Sequence, residues 1–108
     1  MRFSKSEIRA RFRKAVFKRD GHRCAVCGIA ESEVEKLDAH HITDRNEMPN
    51  GGYVPENGIS LCPKCHIKAE IYHTSDGWDW ARGYHPNSLY FRIGTSPETA
   101  VEASERLA

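Results

Sequence analysis

Apolar positions recur at three- and four-residue intervals near the start of the chain. Ile8, Phe12, Ala15 and Val16 form a stripe continuing to Arg19, and Arg9, Arg11, Arg13, Lys14 and Lys18 fall outside it. That period is helical and predicts an amphipathic helix docked through its apolar side. Ser4-Lys5-Ser6-Glu7 has the Ser-x-x-Glu spacing of a capping box, which sets the helix start, and Asp20-Gly21 ends it. The period shortens to two in Leu37-Asp38-Ala39-His40-His41-Ile42 and in Gly58-Ile59-Ser60-Leu61, predicting two short strands. Between them lies a polar loop with Pro49, Asn50, Gly51, Gly52 and Pro55. A second helix is expected from about Lys64 to His73, with Pro63 in its first turn. Further on, Ser88-Leu89-Tyr90-Phe91-Arg92-Ile93 reads as a strand. Thr95-Ser96-Pro97-Glu98 then caps a helix expected to run through Leu107.

These elements predict an α+β fold and, over 1–108, a single domain without internal repeats. A chain of 108 residues with 29% charged side chains has a modest core, so a covalent or metal staple would help it. Trp78, Trp80, Tyr84 and Tyr90 are available for stacking on bases, but in a small core packing is the simpler use of them. No stretch approaches the roughly 18 apolar residues of a membrane span, and no apolar signal region follows Met1-Arg2-Phe3-Ser4-Lys5-Ser6-Glu7. The expectation is a cytoplasmic protein with no membrane partner. The total charge of +1 hides a segregation: residues 1–23 hold nine Lys or Arg against Glu7 and Asp20, a net of +7, which leaves −6 for the rest.

Four cysteines fall as two Cys-x-x-Cys pairs, Cys24/Cys27 and Cys62/Cys65. In a reducing compartment this spacing points to four thiolates around a structural Zn²⁺, each pair chelating from one turn, with Gly28 free to take positive φ after the first knuckle. Two readings compete with it. Either pair alone fits a redox motif, and Cys62-Pro63-Lys64-Cys65-His66 fits a c-type haem attachment, although that leaves Cys24 and Cys27 without a purpose. The 34 residues between the pairs exceed what a common zinc ribbon holds. Closing that loop with a metal draws two strands and the following helix into a ββα unit, where His40 and His41, Asn57 and His66 converge.

Ala39-His40-His41-Ile42 followed by Asn57-Gly58-Ile59-Ser60-Leu61-Cys62-Pro63-Lys64-Cys65-His66 resembles the HNH endonuclease family, also called His-Me finger or ββα-metal nucleases. Lys18-Arg19-Asp20-Gly21-His22-Arg23-Cys24-Ala25-Val26-Cys27-Gly28 resembles the family's approach to that motif. The likeness covers about 8–73 and leaves 74–108 as a strand/helix extension. It implies a small zinc-stapled, treble-clef-like domain with a basic N-terminal helix. It also implies His41 as general base, with His40 and His66 as ligands of a catalytic divalent cation. Asn57 is implied to hydrogen-bond across the loop and fix a histidine's backbone. Glu70 stands where some relatives carry another histidine; it shares a helix face with His66 and either completes the metal shell or, slightly preferred, is simply solvated.

The chemistry of these residue types agrees with the resemblance. A neutral imidazole can accept a proton from water at physiological pH, and a divalent ion polarises phosphate oxygens. Neighbouring strand residues face opposite ways, so His40 and His41 cannot both ligate one ion undistorted. Imidazole ligands fit Mn²⁺, Ni²⁺ or Co²⁺ at least as well as Mg²⁺. The expected reaction is hydrolysis of a DNA phosphodiester, by nicking or double-strand cleavage, leaving 5′-phosphate and 3′-hydroxyl ends. Arg9, Arg13, Lys14, Lys18, Arg19 and His73 are candidate phosphate contacts, and the protein acts as a monomer or homodimer. His22 and His85 receive no role. The competing functional reading is a non-catalytic zinc module that binds DNA or protein, which leaves His40, His41, Asn57 and His66 without a reason.

Overall fold

The computed structural model describes residues 3–107, so Arg2, one of the nine basic residues near the start, lies outside the described residues. The capping box forms as its spacing demands. Ser4 Oγ accepts from the Glu7 amide at 3.2 Å, Glu7 Oε1 accepts from the Ser4 amide at 2.8 Å, and helix α1 runs Lys5–Arg19. Its buried residues are Phe12 and Val16, two of the positions in the predicted stripe.

Strands β1, Asp38–His41, and β2, Gly58–Leu61, pair antiparallel with His40 opposite Ile59 and His41 opposite Gly58. Helix α1 packs across this ribbon so closely that Gly58 has no room for a side chain. A Cβ there would stand 2.5 Å from Val16 Cγ2 and 2.7 Å from Phe12 Cε1. Asp20 and Arg19 fasten the same junction. Asp20 Oδ2 accepts from the Ser60 amide at 2.9 Å, and the Arg19 guanidinium donates to the carbonyls of Pro55 and Gly58, both at 2.7 Å. Helix α2, Pro63–Thr74, follows β2 directly with Pro63 at its first position, completing the ββα unit. Ile42, Ile59, Leu61, Ala69, Leu89 and Tyr90 form the centre of the core, all nearly or fully buried.

The tail departs from expectation. Residues 88–93, read as a strand, lie in helix α3, Pro86–Ile93. His85 caps its start by accepting from the Asn87 amide at 3.0 Å, Pro86 is pre-set for the first turn, and Gly94 closes it at φ 77°. Leu89 and Tyr90 are buried on one side while Phe91 is 87% exposed, so the burial follows a helix face rather than alternate residues. The extension is therefore helix followed by helix. Helix α4, Pro97–Glu105, starts at Ser96 as expected and stops short of Leu107. It lies against the loop joining the strands: Asn50 Nδ2 donates to the Ser104 carbonyl at 2.9 Å, and Thr95 Oγ1 donates to the Glu56 carbonyl at 2.9 Å. The class is α+β, with four α-helices and one two-stranded sheet among the described residues.

Candidate metal centres and active site

The first cluster is built by two turns. Cys24 to Gly28 fold back so that the Gly28 amide reaches the Cys24 carbonyl at 3.0 Å, with Gly28 at φ 82°. Cys62 and Cys65 flank the entry to α2. The four sulfurs lie within 4.8 Å of one another and are positioned to form a metal site. Sulfurs arranged tetrahedrally at about 2.3 Å from an ion stand about 3.8 Å apart; Cys27 and Cys62 are separated by 3.7 Å. The donor set therefore fits zinc. Burial pushes the Cys65 thiol up to about 12, whereas Cys24 is brought down to about 7, because backbone amides of Cys27, Cys62 and Val26 outweigh its burial. The Tyr84 hydroxyl, from the segment before α3, donates to Cys65 Sγ at 3.2 Å. A tyrosine from the extension thus supports a metal-ligand position, which no local spacing announces.

The second cluster lies where β1 meets α2. His40 is buried and points toward α2. Its Nδ1 is 3.3 Å from Glu70 Oε2, and the same oxygen is 3.2 Å from His66 Nε2. Ligands on adjacent vertices about 2.1 Å from an ion stand roughly 3.0–3.4 Å apart, so these three donors fit one divalent cation. Glu70, preferred as a solvated side chain on sequence grounds, is instead drawn into the cluster. The bond with His40 and the nearby imidazoles hold its carboxyl down to about 2 despite partial burial. His66 Nδ1 faces Asp38 Oδ2 at 3.3 Å. This is the carboxylate–histidine arrangement that fixes a ligating ring and leaves its other nitrogen for a metal. Asp38 was missed from sequence, yet it stands two residues before His40 and hence on the same strand face.

His41 turns to the other face, as strand geometry requires. Its ring stacks on Phe12 at a centroid distance of 4.6 Å and meets the edge of Tyr53 at 4.7 Å. Burial, assisted by the neighbouring His40 and Arg45, lowers its pKa to about 4, so the ring is neutral at pH 7, and its Nε2 has no hydrogen-bond partner in the protein. Because β1 ends at His41, both histidines still border one cavity of about 370 Å³, together with Arg45, His66, Glu70 and His73. The rings of His40 and His66 are 5.2 Å apart, and those of His40 and His73 are 5.3 Å apart.

Asn57 is fully buried and acts as a clamp. Its Oδ1 accepts from the Thr43 amide at 3.0 Å and the Tyr90 hydroxyl at 2.6 Å, while Nδ2 donates to the carbonyls of Thr43 and Gly52 at 3.1 and 3.2 Å. It fixes the chain two residues beyond His41 rather than the backbone of a histidine itself. Tyr90, buried in α3, completes this clamp and was not foreseen. Arg9, Arg13, Lys14 and Lys18 are exposed along α1, whereas the guanidinium of Arg19, also offered as a phosphate contact, is occupied at the α1–β2 junction. His22 bonds Glu31 at 3.1 Å and His85 caps α3, both outside the cavity. Tyr84 and Tyr90 pack in the core as expected, but Trp78 is 89% exposed and Trp80 46%, so packing accounts for neither in full.

Residues 24–70 match the family model described as HNH endonuclease. That match spans both clusters, His41 and Asn57, and leaves α1 and all residues after Glu70 outside it. No curated protein and no solved structure matches the chain. Among the described residues no helix is long and apolar enough to cross a membrane.

Proposed function

We propose that the protein is a metal-dependent DNA endonuclease whose whole chain, 1–108, works as one unit. The observation carrying this reading is the shared cavity. His41, whose buried Nε2 has no hydrogen-bond partner in the protein, lines the same cavity as three donors, His40, His66 and Glu70, suited to one divalent cation. The match of residues 24–70 to the HNH endonuclease model supports phosphodiester hydrolysis as the chemistry.

His41 serves as general base. Its low pKa keeps it unprotonated across the neutral range, and Phe12 and Tyr53 hold its ring to take a proton from water attacking the phosphorus. His40, His66 and Glu70 hold the cation, with Asp38 orienting His66. When bound, that ion supplies Lewis acidity toward a non-bridging phosphate oxygen and the departing 3′ oxygen. Mg²⁺, Mn²⁺, Ni²⁺ and Co²⁺ are its candidates; two imidazoles favour the last three. His73, Arg9, Arg13, Lys14 and Lys18 would contact phosphates, and Asn57 holds the exit of β1. The four cysteines bind structural Zn²⁺ as thiolates, a use of paired cysteines that fits a cytoplasmic protein.

Supercoiled plasmid incubated with the protein and each of these four ions tests the reading. The expected products are nicked or linear DNA whose ends are 5′-phosphate and 3′-hydroxyl, and therefore rejoined by a DNA ligase without end repair. Plasmid left intact with every ion would leave only a non-catalytic zinc module.

A further inference from the structure

Beside the metal cavity lies a second concavity of about 510 Å³, and beyond it a third of about 770 Å³. Arg45 lines all three, His41 the first two, and Arg9 and Tyr53 the second and third. The surface is therefore one groove running from the histidines over the N-terminal half of α1. At its middle, two cations meet on one oxygen: Arg45 Nη1 donates to the Tyr53 hydroxyl at 3.1 Å and Arg9 Nε donates to it at 3.4 Å. Like charges converge there only at a cost. Among the described residues neither guanidinium pairs with a carboxylate.

A phenol oxygen that accepts from two guanidiniums still has its own proton to give. The remaining nitrogens of both arginines are donors as well, so Arg9, Arg45 and Tyr53 offer a ligand donors only, while the carboxylates of Asp38 and Asp44 border the same groove. Burial would raise the Tyr53 hydroxyl's pKa, yet the two guanidiniums outweigh it and bring it below the ordinary value, the response of a group placed where negative charge is favoured. An anion with several acceptor oxygens satisfies such a point, and along a groove leading to a hydrolytic cavity the fitting anion is a phosphate of a nucleic-acid strand.

We propose that Arg9, Arg45 and Tyr53 form a phosphate seat that binds a DNA backbone phosphate next to the one being cut, with Arg45 bridging seat and metal cavity. The substrate identity rests on the nuclease reading above; the seat itself is a binding site. Arg45 and Tyr53 are positioning residues. They act on affinity and register and take no part in proton transfer.

The test is fluorescence anisotropy with a labelled 12-base-pair DNA duplex and no added divalent ion, so that binding is read without cleavage. Arg45→Gln should weaken binding about tenfold and lower the slope of log affinity against log salt by about one. Arg45→Lys should recover part of the affinity and the full slope, while Tyr53→Phe should weaken binding severalfold with the slope unchanged. Arg92→Gln removes the same charge from an exposed site on a different cavity and should leave binding as in the wild type. Equal losses for Arg92→Gln and Arg45→Gln, wild-type binding by Arg45→Gln, or no DNA binding by the wild type would each overturn the seat. If Arg45→Gln alone loses affinity but no ion supports plasmid cleavage, the seat stands and the nuclease reading falls.

Discussion

His40 and His41 are chemically identical neighbours that the fold separates. One is sealed against α2 with a carboxylate on its Nδ1; the other is held between Phe12 and Tyr53, and the Nε2 of each has no partner. Replacing His41 with Ala should reduce cleavage by about 10²–10⁴-fold while zinc content, measured by elemental analysis, stays at the wild-type level. Retained activity would mean that another group takes the proton. Asp20 gives a prediction in pH. Burial alone would raise its carboxyl, but bonds from Arg19 and the Ser60 amide hold it below the ordinary value in the fold. Its contribution is therefore present above the unfolded pKa of about 3.9 and lost as pH falls through the lower folded value. Asp20→Asn should cost about 1–3 kcal/mol in urea unfolding at pH 7. At matched lower pH the gap between variant and wild type should narrow; a gap that widens on acidification contradicts this account. At this scale the types and spacing of His40, His41, Asn57 and His66 marked the candidate site in the sequence. Tyr53, Tyr90 and Arg45 stayed hidden: the two tyrosines reach the site from other segments, and Arg45, four residues after His41, sits in a loop with no periodic mark.

Element boundaries divide along the same line. Strand β2 and the start of α1 were legible because local forces set them: alternation in Gly58-Ile59-Ser60-Leu61, and a reciprocal cap at Ser4 and Glu7. Residues 88–93 misled because Leu89, Phe91 and Ile93 alternate with polar or amphipathic neighbours. The deciding information sat at the flanks, in a histidine cap, a proline at the first turn and a left-handed glycine. The α1–β2 crossing depends on one absent side chain. Gly58→Ala should destabilise by about 1–3 kcal/mol, read as a lower urea midpoint, because a methyl cannot occupy space already held by Val16 and Phe12. Unchanged stability would show that α1 can shift without cost. For the extension, Tyr84→Phe removes the hydroxyl from Cys65 Sγ. It should speed zinc loss to a chelator about tenfold without changing the secondary structure seen by circular dichroism.

For the whole molecule, two clusters of potential metal ligands tie a small core together. The four cysteines join the segment after α1 to the start of α2, and the histidine–carboxylate group joins β1 to α2. Structural zinc in modules of this size supplies on the order of 10 kcal/mol of folding free energy. Spacing alone foretold that union of distant segments. It did not foretell that α4 braces the interstrand loop or that a groove leads away from the histidines, since those depend on how the extension packs. The most direct test of the central claim is anomalous diffraction from crystals soaked in Mn²⁺, recorded at the zinc and manganese edges. The account predicts one zinc peak among the four sulfurs and one manganese peak bonded to His40, His66 and Glu70. Manganese found elsewhere, or none beside those three residues, would contradict it.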